Sequence, residues 1–301
     1  MTSGSRQPLT IAFHVGAHKT ATTHLQKTIK RGAAAMAAEG VRFYGPEHFR
    51  LPGRTIPALF GFQAGLAPDP ARASPSEQLA ALAMDAHRLV ISEENFIGPL
   101  NSPKGLGLRH RYKAADQRLA KFAASVGQKV DVFLCVRRPT AFMSSAYCQM
   151  LLGGQVRPLG VYLRRNPLSS VDWVDLVRRI RAAPGVGEVT VWRHEDYRVL
   201  FPQIVAALVG AQAARHVPTV DRPINAGLSA PAVAEVLHRA ADGDVTDLAK
   251  RARSLLPIAD GYPPFDAFTP REHAISDRHY AAQVAAIAAM PGVTLLGTGA
   301  G

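Results

Sequence analysis

Short apolar runs and helical repeats of apolar residues alternate along most of this chain. Runs of about four to eight apolar residues are typical of strands buried within a sheet. They predict strands at 11–15, 41–44, 88–92, 129–136 and 188–192. Apolar residues that recur every three or four positions predict helices at about 21–38, 76–87, 112–126, after 139 and from 172. The strand–helix–strand order predicts parallel strands joined by right-handed crossovers.

The last third of the chain is rich in alanine and its pattern is mostly helical. Ser229 is placed to cap a helix that runs to 238, because its hydroxyl can accept from a first-turn backbone N–H. A last helix is predicted at 280–289, and 291–296 could form a terminal strand or a tail. We therefore expect one α/β domain over 1–301, with a central, mainly parallel sheet in a core at about 9–210 and extra C-terminal helices at about 211–301.

The composition limits the classes of function. With 301 residues, of which 47% are hydrophobic, the chain can bury a large core. Its formal net charge of +12 would suit nucleic acid or another polyanion. However, the basic residues are dispersed and aromatic residues make up only 7%, so platforms for base stacking are sparse. Nucleic-acid binding is therefore the less favoured interpretation.

Cysteine, histidine and hydropathy patterns indicate a cytoplasmic protein without a metal. Cys135 and Cys148 lie in apolar surroundings without metal-ligand spacing, as expected in a reducing compartment. The first ten residues lack a charged-then-apolar leader, and no apolar run approaches a membrane span. Four histidines also lack metal-ligand spacing, and no metal site is predicted from them: His14, His18, His24 and His194.

One stretch, 11–26, combines a strand, a tight turn and the start of a helix. Backbone N–H groups and the positive end of a helix dipole converge at such a turn, which favours phosphate-like anions. Lys19 adds a cation, and three hydroxyls add donors: Thr20, Thr22 and Thr23. The spacing differs from that of a nucleoside-triphosphate loop, which needs Gly-Lys-Ser/Thr, because only two residues separate Gly16 from Lys19.

A second anion-binding pattern follows the clearest predicted strand. Arg137 ends that strand, Pro139 suits the first turn of the next helix, and Ser145 lies two turns into it. An arginine fork and a hydroxyl in this arrangement can converge on one anion. The pattern therefore predicts a second anion site, downstream of the first.

The two patterns, in this order, resemble those of the sulfotransferases that use 3′-phosphoadenosine-5′-phosphosulfate (PAPS). The first is similar to the family's 5′-phosphosulfate loop, whose core is Lys-Ser/Thr-Gly-Thr-Thr, although Ala21 stands in place of the glycine. The resemblance implies a P-loop-like α/β fold, PAPS as the sulfate donor and no metal. It also implies a donor site formed by six consecutive residues: His18, Lys19, Thr20, Ala21, Thr22 and Thr23.

The second pattern resembles the family's 3′-phosphate site, with Arg137 and Ser145 at the matching positions. The resemblance gives Lys19 a catalytic role, in which it neutralises the charge that develops on the leaving phosphate. Many cytosolic members carry a further basic, glycine-rich 3′-phosphate element near the C-terminus. This chain has no convincing copy, and Arg222 or Asn225 are the candidates to replace it.

Transfer of a sulfuryl group to a hydroxyl needs a base that accepts the hydroxyl's proton. Glu94 is the first choice, because the order Ser92-Glu93-Glu94 after a predicted strand resembles the Ser-x-Glu element of bacterial members. Two alternatives stay open. The two glutamates could cap the next turn or pair with an arginine, and Glu47, with His48 beside it, could be the base or bind the acceptor.

The predicted function is therefore sulfuryl transfer from PAPS to a hydroxyl or amine. One alternative is an ATP-dependent phosphotransferase of related loop architecture, against which the missing loop glycine argues. Another is a non-catalytic polyanion binder, which only the charge supports. The sequence carries no readable code for the acceptor or for an oligomeric state.

Overall fold

Six parallel strands form one sheet in the order β2-β3-β1-β4-β5-β6. The structure is a computed structural model that describes residues 7–65, 73–100, 112–219, 227–240 and 247–297. The strands are β1 (Thr10–Gly16), β2 (Val41–Tyr44), β3 (Arg88–Ser92), β4 (Val130–Val136), β5 (Val186–Arg193) and β6 (Val293–Leu296). The predicted α/β class is confirmed, and 291–296 supplies a strand rather than a tail.

Helices cover both faces of the sheet. In the first part of the chain they are α1 (Thr22–Ala38), α2 (Pro46–Phe49), α3 (Ile56–Leu59), α4 (Pro75–Ala83), α5 (Ala115–Val126), α6 (Pro139–Leu152), α7 (Leu159–Arg165) and α8 (Trp173–Ala182). The later ones are α9 (Tyr197–Val209), α10 (Ala211–Ala214), α11 (Ala230–Ala240), α12 (Leu248–Leu255) and α13 (Pro270–Ala288). Within the described residues, none of these helices is long and apolar enough to cross a bilayer.

Two of the predicted helices have different bounds. The helix predicted at 76–87 ends at Ala83, because Met84 has a left-handed φ of 52° that stops the repeat. The helix predicted at 280–289 begins ten residues earlier, where Thr269 and Glu272 form a reciprocal capping box with Pro270 in the first turn. Ser229 does cap α11, because its hydroxyl accepts the Ala232 N–H at 3.2 Å.

The core lies on both sides of the sheet, as expected for parallel strands that are covered by helices. Successive residues of β1 alternate between two apolar clusters, with Phe13 in one and Ala12 in the other. The second cluster joins α1 and α9 and includes Trp192, which is fully buried. Burial on both faces explains why the strands are continuous apolar runs in the sequence.

The order of the strands sets the position of the site. After β1, the strands β3 and β2 are added on one side of it, and β4 then pairs with the opposite edge of β1. Such a reversal leaves a crevice at the carboxyl ends of the strands, where ligands of α/β proteins bind. The segments that follow β1, β3, β4 and β5 all meet at this edge.

Candidate active site

The loop that follows β1, residues 16–21, is tightly wound and will be called the Lys19 loop. Gly16 has a φ of 94°, and a Cβ added there would lie 2.8 Å from the Cβ of Glu94. Position 16 therefore requires glycine for both its backbone and its contact. Lys19 and Ala21 also have left-handed φ values, of 62° and 64°. Non-glycine residues reach this region at a cost in free energy, and such residues concentrate at functional sites.

Two of the predicted donor hydroxyls close the Lys19 loop on itself. Thr20 Oγ1 donates to the Ala17 carbonyl at 2.5 Å, and Thr22 Oγ1 donates to the same oxygen at 3.0 Å. The Ala17 N–H in turn donates to the Cys135 carbonyl on β4, at 3.3 Å. The hydroxyls of Thr20 and Thr22 therefore stabilise the loop, and the predicted contact of these two residues with the sulfate donor stays a prediction.

The Lys19 loop and the residues after β4 are in direct contact. Arg137 Nη1 donates to the Lys19 carbonyl at 2.6 Å, across 118 positions of sequence. Lys19 Nζ donates to Gln149 Oε1 at 3.2 Å, on the helix that also carries Ser145. Trp173 Nε1 holds the Arg137 carbonyl at 2.8 Å. The two predicted anion sites thus lie side by side.

These two cations lack carboxylate partners. Neither Lys19 nor Arg137 forms an ion pair with a carboxylate in the part of the chain that the structure describes. Burial, together with the nearby charge of Arg137, lowers the pKa of Lys19, and burial also lowers the pKa of Arg137. The Arg137 Nε atom is buried and has no hydrogen-bond partner among the described residues. An anion that reached both cations would compensate them.

Both cations line a cleft of about 1390 Å³ at the carboxyl ends of the strands. The cleft brings together most of the predicted site residues: His18, Lys19, Ala21, Thr22, Thr23, Glu94, Arg137 and Ser145. Thr20 is buried beneath the loop and does not line the cleft. Glu47 and His48 do not line it either. Glu47 pairs with Lys30 at 2.9 Å, and His48 lies 3.3 Å from a guanidinium nitrogen of Arg54.

Glu94 lines the cleft, but both of its oxygens are engaged. Arg50 Nη2 contacts Oε1 at 2.8 Å, and Gln26 Nε2 donates to Oε2 at 2.9 Å. Burial raises the pKa of Glu94, but the hydrogen bond and charge of Arg50 and the hydrogen bond from Gln26 outweigh it and leave that pKa below its usual value. Glu94 is therefore a carboxylate held ionised and in one orientation.

Glu93 fits the alternative interpretation that the sequence left open. Its side chain accepts the Asn95 N–H at 2.9 Å and so caps the short 3₁₀ turn at 94–96. Arg50 also grips it in a fork, with contacts of 2.7 and 2.9 Å. Arg50 therefore bridges both glutamates, and only Glu94 of the two lines the cleft.

His18 joins the Lys19 loop to the turn after β3. Its Nδ1 lies 2.9 Å from the Tyr112 hydroxyl, and its Nε2 lies 2.9 Å from Asn95 Oδ1. Its backbone N–H also donates to the Tyr112 hydroxyl, at 3.2 Å. These bonds fix the ring along the cleft wall, so the side chain of His18 supports the loop.

Several cleft residues carried no signal in the sequence. Arg50 and Gln149 are ordinary helix-end and helix residues whose roles depend on tertiary contacts. The turn after β5 carries His194, which lines the cleft, where burial and the charge of Arg137 lower its pKa to about 3. A neutral imidazole adds no charge beside Arg137, on which the negative charge of Glu195, another cleft residue, also acts.

The C-terminal part of the chain forms one wall of the cleft. Ser144 Oγ accepts the Ala267 N–H at 3.1 Å and contacts Asp266 Oδ1 at 3.4 Å. Asp266 Oδ2 in turn lies 2.6 Å from Nε2 of His273. The proposed replacements for the C-terminal basic element, Arg222 and Asn225, lie outside the described residues, as does the basic segment 101–111.

Comparisons with known proteins gave structural similarity alone. No protein-family model matches the chain, and no curated protein matches it by sequence. A sulfotransferase from Alicyclobacillus acidocaldarius is 17% identical and superposes with a TM-score of 0.41, over 83% of this chain and 97% of that one. A structure from the PezAT chromosomal toxin–antitoxin system of Streptococcus pneumoniae is 13% identical, with a TM-score of 0.28 over 64% of this chain and 71% of that one. At these TM-scores, neither similarity carries information on the activity of this chain.

Proposed function

We propose that this protein is a sulfotransferase that moves a sulfuryl group from PAPS to a hydroxyl of an acceptor. The observation that carries the proposal is the contact between Arg137 and the Lys19 carbonyl. It puts two partly buried cations side by side at the crevice of an α/β sheet, and neither forms an ion pair with a carboxylate of the described residues. A nucleotide with a 5′-phosphosulfate and a 3′-phosphate offers one anionic group to each cation.

The residues of the cleft fit this nucleotide. Lys19 and the backbone of its loop would hold the 5′-phosphosulfate, with Thr23 at the first turn of α1. Arg137, whose buried Nε has no partner within the described part of the chain, would hold the 3′-phosphate together with Ser145. When bound, the donor supplies a sulfur–oxygen bond that breaks as the acceptor oxygen attacks sulfur. Lys19 stabilises the negative charge left on the departing phosphate oxygen.

Glu94 is the proposed base and takes the proton of the attacking hydroxyl. Its lowered pKa keeps it ionised at neutral pH, so it is ready to accept, although a carboxylate of low pKa is a weak base. Glu47 and His48 are less suited to this role, because they do not line the cleft.

Calorimetric titration with adenosine 3′,5′-bisphosphate, AMP, ATP and duplex DNA tests the donor site directly. We expect the bisphosphate to bind more tightly than AMP, because only the bisphosphate reaches Arg137. Preference for ATP would favour the phosphotransferase, and preference for DNA would favour the polyanion binder. Either preference would remove the sulfotransferase proposal.

Two pairs of variants separate the two phosphate sites. Lys19→Met should lower the affinity for both the bisphosphate and AMP. Arg137→Met should lower the affinity for the bisphosphate alone, to a value near that for AMP. Loss of one partner of a buried charged contact costs about 2–5 kcal/mol, which is about 30-fold or more in affinity.

The matched controls are Lys27→Met, on the exposed face of α1, and Arg138→Met, whose side chain is exposed next to Arg137. Neither residue lines the cleft, so both controls should bind the bisphosphate like the unmodified protein. Equal losses in Arg137→Met and Arg138→Met would show that Arg137 has no special role at the 3′-phosphate.

A further inference from the structure

The strand order leaves part of the cleft beyond the proposed nucleotide site. The nucleotide would lie over β1 and β4, which carry Lys19 and Arg137. The opposite neighbour of β1 is β3, and its carboxyl end carries Glu94 and Asn95. Arg50 reaches the same place from the segment after β2. An acceptor that meets the donor at Lys19 must therefore approach over β3.

The hydrogen bonds at this end of the cleft leave two donor groups near Glu94 without a partner among the described residues. Arg50 uses Nε and Nη2 on the two glutamates, and its Nη1 has no partner among the described residues. Asn95 uses Oδ1 on His18, while its exposed Nδ2 has no partner in the same described part of the chain. The residue in contact with Glu94, Arg50, and the residue next to it in the chain, Asn95, thus each keep a donor that is unused among the described residues.

Glu94 is also fixed from below by a directional chain of hydrogen bonds. Gln26 Nε2 donates to Glu94 Oε2 at 2.9 Å and to Ser92 Oγ at 3.1 Å. Ser92 Oγ lies 2.7 Å from Nδ1 of the buried His14, which accepts from it in the tautomer that carries its proton on Nε2. The amide of Gln26 has both N–H groups committed, so it positions the carboxylate and leaves the cleft side of Glu94 for the acceptor.

Charge and lining define the class of acceptor. Glu93, Glu94 and Arg50 together carry one net negative charge, which disfavours an anionic acceptor. The apolar residues that line the cleft beside them are Pro99 and Leu100. The His18 imidazole also lines this end of the cleft, where it is hydrogen-bonded to Asn95. Pockets for flat aromatic or long apolar ligands are lined mainly by apolar and aromatic side chains. Neighbouring hydroxyls on one ligand, each of which can donate and accept, match the donors of Arg50 and Asn95 and the carboxylate of Glu94.

We propose that Arg50, Glu94 and Asn95 form the acceptor subsite, and that it takes an uncharged, hydroxyl-rich acceptor such as a neutral sugar of a glycan. One hydroxyl lies against Glu94 and gives up its proton as its oxygen bonds to sulfur. The adjacent hydroxyls accept from Arg50 Nη1 and Asn95 Nδ2. Gln26 acts as a positioning residue for Glu94. This inference rests on the proposed sulfotransferase function.

A panel of acceptors tests the inference with the full-length protein and PAPS. The panel contains short oligosaccharides of neutral hexoses and N-acetylhexosamines, a uronic-acid oligosaccharide, 2-naphthol and decanol. Mass spectrometry of each product and release of adenosine 3′,5′-bisphosphate measure transfer. We expect kcat/KM for the best neutral sugar to exceed that for 2-naphthol, decanol and the uronic-acid sugar by at least ten-fold. Faster transfer to any of those three would overturn the inference.

Variants link the preference to the three residues. Asn95→Ala and Arg50→Lys should each lower kcat/KM for the sugar by at least ten-fold, with unchanged affinity for adenosine 3′,5′-bisphosphate. The matched control is Arg54→Lys, in the same segment but outside the cleft, which should leave transfer unchanged. Unchanged transfer in both Asn95→Ala and Arg50→Lys would refute the subsite.

Gln26→Met tests positioning through a readout that a purely structural role does not move. Loss of its hydrogen bond should raise the pKa of Glu94 and shift the acid limb of the pH profile of kcat to higher pH. Arg50, Glu93 and His14 are the other charged or titratable groups around Glu94, and the variant retains them all. An unshifted limb would exclude the positioning role.

The failures of the two proposals can be told apart. If the protein does not bind adenosine 3′,5′-bisphosphate, the sulfotransferase proposal fails and the acceptor inference fails with it. If the bisphosphate binds normally but no neutral sugar is sulfated, the acceptor inference alone fails. Saturation-transfer NMR on the sugars, with the bisphosphate bound, gives the same distinction without requiring turnover.

Discussion

Ala21 is the position at which one substitution separates backbone strain from helix propensity. It stands at the N-cap of α1 with φ 64° and ψ 18°, in the left-handed region, and no side-chain hydrogen bond caps the helix there. Its carbonyl already accepts the Leu25 N–H at 3.1 Å, so the first helical bond does not depend on the side chain. We predict that Ala21→Gly stabilises the protein.

The magnitude follows from two opposing contributions. A Cβ in the left-handed region costs about 1–2 kcal/mol, which glycine removes. Glycine also makes the unfolded chain more flexible, which costs roughly 0.5–1 kcal/mol. The difference predicts a gain of about 0.5–1 kcal/mol in the free energy of unfolding. The fold around the cleft should not change, because the backbone already has the conformation that glycine favours.

Urea unfolding, followed by circular dichroism, measures this gain, and Ala34→Gly is the matched control. Ala34 is exposed in the middle of α1, where the same substitution should destabilise the protein by about 1 kcal/mol. The two variants have identical chemistry and opposite expected signs. If Ala21→Gly lowers the free energy of unfolding as much as Ala34→Gly does, the strain argument is wrong.

Three further predictions concern buried polar groups and thiols. Thr28→Val should raise the free energy of unfolding in urea by about 1 kcal/mol, because the buried Thr28 hydroxyl has no hydrogen-bond partner among the described residues; a loss would show that a partner exists. Cys148 lines the cleft and Cys135 is fully buried, so a maleimide should label Cys148 alone in the native protein, and slowly, because burial raises the pKa of Cys148. Adenosine 3′,5′-bisphosphate should slow this labelling further. Labelling that the nucleotide does not affect would argue against nucleotide binding beside Lys19. Burial lowers the pKa of His14 to about 4, so between pH 6.5 and 4 the unfolded chain binds a proton at this residue that the folded protein does not. The free energy of unfolding should therefore fall by roughly 3 kcal/mol as the pH falls through that window. An identical slope of stability against pH in His14→Gln would contradict this assignment.

The sheet was predictable because its strands are buried on both faces and therefore appear as uninterrupted apolar runs. The strand at 88–92 was placed at its observed bounds from that pattern alone. The start of α13 was missed, although Thr269 and Glu272 carry a capping signal, because the alanine-rich helix beyond it has only a weak apolar repeat. The end of α4 depends on the backbone of Met84, which no side-chain pattern indicates.

The candidate site was predictable where a residue follows a strand directly. Lys19, Glu94 and Arg137 each stand just beyond a carboxyl end, and parallel strands bring such residues to one edge. The partners of Glu94 were not predictable, because Gln26 and Arg50 reach it through tertiary contacts across 68 and 44 positions. Which residues come together at the sheet edge can be predicted from the sequence, whereas the orientation and partners of each side chain depend on tertiary packing.

Gly16 connects the two halves of the proposed reaction. Its missing side chain leaves the space in which the Cβ of Glu94 lies, so the turn that presents Lys19 and the carboxylate opposite it share one van der Waals surface. A bulkier residue at position 16 would push Glu94 away before it touched any phosphate. Substitution of this glycine would therefore impair the proposed acceptor subsite first, although the glycine belongs to the loop that would bind the sulfate donor.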